Sequence, residues 1–174
     1  MGINAKSVIK GIALDPGVTT GVCVFSTVSR RNTSLTRRSS ETGDPLWVRS
    51  QIDQDPHHQF LWEFLSRENP DFVVVEKFFY QQRINVNLTP CEYIGVVRLY
   101  CQLTKKLLVL QSPAQAKTLV TDQKLKRLDL YDKAKPHSND ATRHMLYYLI
   151  TQRDCLHDDV QALVNGLLSQ LRSS

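Results

Sequence analysis

Asp71-Phe72-Val73-Val74-Val75-Glu76 is a continuous apolar, β-branched run that ends in an acid. A strand with one wet face alternates apolar and polar residues, so a run without alternation predicts a central strand buried on both faces. Such a strand needs helices on both sides of its sheet, and the flanking sequence offers them. Upstream, Val8 to Leu14 is mostly apolar and is broken by Asp15-Pro16-Gly17; Thr20 to Val28 then resumes, which predicts two strands joined by a tight turn. Leu46, Val48, Ser50 and Ile52 alternate onto one face, the period of a third strand. His57 to Ser66 places Phe60, Leu61, Phe64 and Leu65 at helical spacing. Downstream, Thr89-Pro90-Cys91-Glu92 predicts a helix start, with Thr89 as cap, Pro90 in the first turn and Glu92 closing a capping box. Leu107 to Leu110 is another short strand, followed by helical segments at 113–121, 122–130 and 137–150. Val160, Leu163, Val164, Leu167, Leu168 and Leu171 form the apolar stripe of a last helix. The order predicts the α/β class, a mixed sheet with helices packed on it.

The chain has 174 residues, 41% hydrophobic and 22% charged, which at ~150 residues per domain predicts one domain over 1–174. Lys and Arg number 22 against 17 Asp and Glu, a net charge of +5, which leans towards a polyanionic partner. Cys23, Cys91, Cys101 and Cys155 show neither C-x-x-C nor zinc-site spacing and read as small hydrophobes of a reducing cytosol. Residues Met1 to Ser7 lack the apolar stretch of a signal peptide, and Lys6 breaks the myristoylation pattern. No run approaches the ~18 apolar residues of a membrane span. The expectation is a cytoplasmic protein with no membrane contact, in which the sequons at Asn32 and Asn87 are coincidental.

Three acids stand where a strand or helix ends. Asp15 closes the first strand, Glu76 closes the central one, and Asp140 lies in the first turn of a late helix. Strand ends of an open α/β sheet are where sites form, and carboxylates gathered there supply the hard oxygen ligands that suit Mg²⁺ or Mn²⁺. His137 precedes Asp140 by three residues, so both can point to one side of the helix start. Each residue also has a plain reading. Asp15 before Pro-Gly is a common turn residue, Glu76 can pair with Lys77 or a loop arginine, Asp140 suits the positive end of a helix, and His137 is an ordinary cap or surface residue.

The set as a whole carries more than its members. Ile12-Ala13-Leu14-Asp15-Pro16-Gly17-Val18-Thr19-Thr20-Gly21 resembles the first motif of RuvC-type Holliday-junction resolvases, Val73-Val74-Val75-Glu76-Lys77-Phe78-Phe79 the second, and His137-Ser138-Asn139-Asp140-Ala141 the last. With Pro90-Cys91-Glu92-Tyr93-Ile94-Gly95, Gln111-Ser112-Pro113 and Ala141-Thr142-Arg143-His144, the chain is most similar to the RuvC-like resolvases of bacteriophages that infect actinobacteria. The resemblance implies an RNase H-like fold with a five-stranded mixed sheet flanked by helices. It also implies a homodimer, and hydrolysis of DNA phosphodiesters by two Mg²⁺ or Mn²⁺ ions that leaves 5′-phosphate and 3′-hydroxyl ends. By position, it makes Asp15, Glu76 and Asp140 metal ligands and gives His137 a place among them; the substrate implied is branched DNA, four-way junctions above all.

The basic charge is uneven. Segment 26–43 sets Arg30, Arg31, Arg37 and Arg38 against Glu41, a net +3, and forms a basic loop over 29–43. Segment 105–135, with Lys117 and Lys124 among eight basic residues against three Asp, is net +5, which leaves −3 for the remainder that holds the acids. Positive flanks around an acidic centre suit a nuclease that grips phosphates, although each such charge can equally be a solvated one. Lys77 and Phe79 follow Glu76 directly; the resemblance places Phe79 where an aromatic wedges against bases, and packing at the strand end is its alternative. The Asp-x-Gly-x-x-Thr-Gly pattern at 15–21 is shared with actin-like kinases, but those need two lobes around a nucleotide and this chain has length for one. A module that binds branched DNA without cutting it is the remaining alternative.

Overall fold

A computed structural model describes residues 9–27, 45–52, 58–78, 87–156 and 158–172. Strands β1 (Lys10–Asp15), β2 (Thr20–Ser26) and β3 (Leu46–Ile52) form an antiparallel meander. Helix α1 (His58–Glu68) leads to β4 (Phe72–Glu76), which pairs parallel to β1. Helix α2 (Thr89–Thr104) leads to β5 (Leu107–Gln111), parallel to β4, so the sheet order is β3-β2-β1-β4-β5. Short helices α3 (Pro113–Leu119) and α4 (Asp122–Arg127) precede α5 (Pro136–Thr151), a single 3-10 turn (Arg153–Cys155) and α6 (Asp158–Arg172). This is the mixed five-stranded sheet flanked by helices that the sequence predicts.

The run at 72–75 is central, as its lack of alternation requires: Val73, Val74 and Val75 have no exposed surface. Its side chains divide by the period of two between two cores. On one face Ile12, Leu14, Val22, Val24, Val73 and Val75 meet Leu61 and Leu65 of α1 and Tyr93, Val97, Tyr100 and Cys101 of α2. On the other, Ala13, Cys23, Phe25, Phe72 and Val74 meet Ala141, Met145, Tyr148 and Leu149 of α5 and Val160 and Val164 of α6. Small residues at 13 and 23 let α5 lie close to the sheet. Gly21 takes this furthest, since a Cβ there would fall 1.9 Å from the carbonyl oxygen of His137. Among the described residues no helix is long and apolar enough to cross a membrane.

One local expectation is corrected. The capping box at Thr89 does not form: Leu88 takes the cap position with no side-chain bond, and Asn87 Oδ1 accepts the Thr89 N–H at 2.9 Å. With the helix starting one residue early, Glu92 is released and pairs with His58 Nε2 at 3.4 Å, both exposed. On β3 the alternation is real, but Leu46 and Val48 are about half exposed while Trp47 packs on Phe25 with ring centroids 5.1 Å apart. β3 is an edge strand, and the core on the Leu46 face takes in only Ile52 from it. Phe79, Arg30, Arg31, Arg37 and Arg38, with the whole 29–43 loop, lie outside the described residues.

Candidate active site

The parallel register places Leu14 beside Val75 and Glu76 beside Gln111, so Asp15, Glu76 and Gln111 sit at three adjacent strand tips. Helix α5 passes over them. Its start is held by three contacts: Gln51 Oε1 on β3 accepts the His137 N–H at 3.2 Å, and Asn139 bonds Asp132 through both ends of its amide, at 3.0 and 2.8 Å. His137, Asp140 and His144 stand at i, i+3 and i+7, one face of the helix. Two turns of helix rise ~10.5 Å, about twice the spacing of neighbouring strands, so one helix can serve both β1 and the β4–β5 pair. The first half of α5 is accordingly polar inside: Ser138, Asn139, Thr142, Arg143 and His144 are all buried.

Each of the three predicted carboxylates has a basic partner on this helix. Asp15, 9% exposed, lies 2.8 Å through Oδ2 from His137 Nδ1. Burial pushes its carboxyl up to about 6; the nearby charge of Glu76 adds to the rise, the His137 hydrogen bond opposes it, and Asp140 raises it further. Glu76 Oε2 lies 2.8 Å from His144 Nε2, and His144 Nδ1 lies 2.9 Å from Gln111 Oε1. Asp140 is ion-paired through Oδ1 with Arg143, and through Oδ2 with Lys117 Nζ at 3.1 Å. Arg143 also pairs with Asp122 and donates from Nε to the Val120 carbonyl at 3.1 Å. Of the other residues predicted to touch DNA, Lys124 donates from Nζ to the Leu119 carbonyl at 2.6 Å, and Lys77 donates its backbone N–H to the Gln111 carbonyl at 2.8 Å.

Asp15, Glu76, His137 and Asp140 are thus brought to one end of the sheet. Arg143, His144 and Gln111 have no role assigned from sequence, although the i+3, i+4 and i+7 spacings from Asp140 and His137 mark the two α5 residues. Among the described residues no group of three His, Cys, Asp or Glu side chains is gathered tightly enough to hold one ion. The donor chemistry nevertheless fits a hard divalent cation: three carboxylates close enough for two to raise the pKa of the third.

No family model matches the chain, and no curated protein matches it. Solved structures do. A Thermus thermophilus RuvC structure superposes with a TM-score of 0.54 at 19% identity, over 86% of this chain and 97% of that one. T. thermophilus RuvC in complex with a Holliday junction substrate superposes with a TM-score of 0.52 at 16% identity, over 80% of this chain and 92% of that one. The fold is therefore the RNase H-like fold in its RuvC form, matched over most of the chain.

Proposed function

We propose that this protein is a divalent-metal-dependent endonuclease that cuts four-way DNA junctions, and other branched DNA, as a homodimer in the cytoplasm. The observation that carries the reading is the meeting of Asp15 and Glu76, at neighbouring strand tips, with Asp140 and His137 of α5. The likeness to RuvC supports it, since one of those structures holds a Holliday junction substrate over a fold matched by 80% of this chain. The similarity of the sequence motifs to phage resolvases points the same way. A twofold dimer would match a twofold junction, with one site for each of two opposed strands.

Asp15, Glu76 and Asp140 would hold two Mg²⁺ or Mn²⁺ ions, with His137 beside them. When bound, such ions lower the pKa of the attacking water and offset charge on the attacking and leaving oxygens. His137 keeps Nδ1 towards Asp15 and is 44% exposed in its side chain, so its Nε2 is the atom at which it would take or return a proton. Lys117 would exchange its pairing with Asp140 for a DNA phosphate. Lys77, Lys124 and the arginines at 30, 31, 37 and 38 would grip phosphates further out, and Phe79 would stack at the crossover.

The test is incubation of the protein with a synthetic four-way junction, a flap and a linear duplex, in Mg²⁺, Mn²⁺ or EDTA. Symmetric nicking of the junction in Mg²⁺ or Mn²⁺ alone is expected. Asp15→Asn and Glu76→Gln should each lower the cleavage rate by on the order of 100-fold or more while junction binding persists. Cutting that survives in either variant would sink the assignment, and binding without cutting by the wild type would make the protein a branched-DNA-binding module.

A further inference from the structure

The contact between His144 and Glu76 joins a proposed metal ligand to a residue with almost no solvent exposure. His144 is 1% exposed and Gln111 5% exposed, and the two lie in line behind Glu76 across the tips of β4 and β5. Burying an imidazole and an amide there is costly unless both are hydrogen-bonded, and packing alone would be met by Leu or Phe. Both ring nitrogens of His144 are engaged, Nε2 by a Glu76 carboxylate oxygen and Nδ1 by the Gln111 amide. A carboxylate can only accept, so the N–H belongs on Nε2, facing Glu76. At the other end of the ring the Gln111 amide closes on Nδ1 at 2.9 Å, so the imidazole is held from both sides. Gln111 is itself fixed by the parallel register that sets it beside Glu76.

We infer that His144 and Gln111 form a positioning pair, in which the Gln111 amide fixes the imidazole ring and the ring holds one oxygen of Glu76, leaving the other to face the cation. The inference rests on the metal-nuclease reading above and deepens it. Asp15 is paired to the part-exposed His137, and Asp140 to the part-exposed Lys117 as well as the buried Arg143, whereas the two groups in line behind Glu76, His144 and Gln111, both lie inside the fold. Glu76 is therefore a carboxylate whose direction is set from inside the fold before any ion arrives.

Mn²⁺ binding to the metal-free protein by calorimetry tests the pair without reference to cutting, alongside thermal stability and junction affinity in EDTA. His144→Phe keeps the volume and removes the bond to Glu76; its Mn²⁺ affinity should fall by roughly 10–100-fold, the usual effect of losing a partner of a metal ligand, with junction affinity in EDTA within about twofold of wild type. His144→Gln can still donate an N–H to Glu76 and should recover most of that affinity. Gln111→Met, which frees the ring at Nδ1 but leaves His144 and Glu76 in place, should weaken binding in the same direction, and it supplies the reading if His144→Phe fails to fold. The Mn²⁺ midpoint of junction cleavage should move by the same factor in each variant. Equal Mn²⁺ affinity in wild type, His144→Phe and Gln111→Met, or equal loss in His144→Phe and His144→Gln, would reduce the pair to packing while leaving the nuclease reading intact. A wild type that neither binds Mn²⁺ nor cuts junctions would overturn both.

Discussion

Asp15 shows what gathering carboxylates does to the molecule that holds them. Its carboxyl titrates near 6 in the fold against 3.8 for the free group, because burial and the charge of Glu76 oppose ionisation more than His137 assists it. A raised acid pKa means that the folded state binds the proton more tightly than the unfolded chain. Stability contributed by that proton is present below 3.8 and is lost as pH rises through about 6. At neutral pH the ionised group then costs at most about 3 kcal/mol, and a bound cation would offset it. Asp15→Asn removes the charge and keeps a polar partner for His137. In EDTA at pH 7.5 it should stabilise the protein by roughly 1–3 kcal/mol, and the gain should shrink to almost nothing by pH 4. Thermal unfolding at both pH values checks this; a gain of the same size at pH 4 would show that charge is not its source. The same substitution ends the proposed cleavage, so stability and activity trade against one another at this one side chain.

At the scale of elements, the site depends on how closely α5 approaches β2. Gly21 is the contact point, and the atom a side chain would strike is backbone, the His137 carbonyl oxygen, which cannot rotate away. Gly21→Ala should force the start of α5 off the sheet, cost about 1–3 kcal/mol by overpacking, and separate His137 from Asp15. The check is denaturant unfolding together with Mn²⁺ affinity; loss of stability with unchanged affinity would mean that α5 tilts about the site rather than leaving it. The close approach also explains which features are legible in the sequence. Asp15, Glu76 and Asp140 are conspicuous because a strand tip or a helix start is a local pattern, and Val73 to Val75 declare a central strand by lacking alternation. His144, Gln111 and Arg143 show a spacing or a motif position but not a role, since their partners come from strand register and from helices elsewhere in the chain. The exposed face of β3 is silent for another reason: alternation names two faces but not which one α5 will cover. The Thr89 capping box was a valid local option, displaced when Asn87 took the same N–H.

Over the whole chain the positive charge is concentrated in two segments, +3 in 26–43 and +5 in 105–135. Lys117 of α3 already meets Asp140 through its Nζ, and other bases of segment 105–135 are engaged by the protein itself: Arg127 Nη1 donates to the Leu171 carbonyl at 3.1 Å, and Lys126 lies 4.8 Å from the Tyr131 ring centroid. If DNA is to be held by more than this flank, the four arginines between β2 and β3 are the other source, contributing +4 against Glu41 and Asp44. Phosphate contacts release counterions, and each contributes about 0.9 to the slope of log affinity against log salt. Replacing Arg30, Arg31, Arg37 and Arg38 together by Ala should therefore flatten that slope by roughly 3–4 for a four-way junction if all four meet phosphates. Cleavage at saturating protein in Mg²⁺ should change little, because the carboxylates and their partners on α5 are untouched. Junction binding measured from low to moderate salt decides the matter: an unaltered slope would assign DNA contact to the 105–135 flank alone, and a flattened slope with lost cleavage would mean that the arginines also steer the strand into the site.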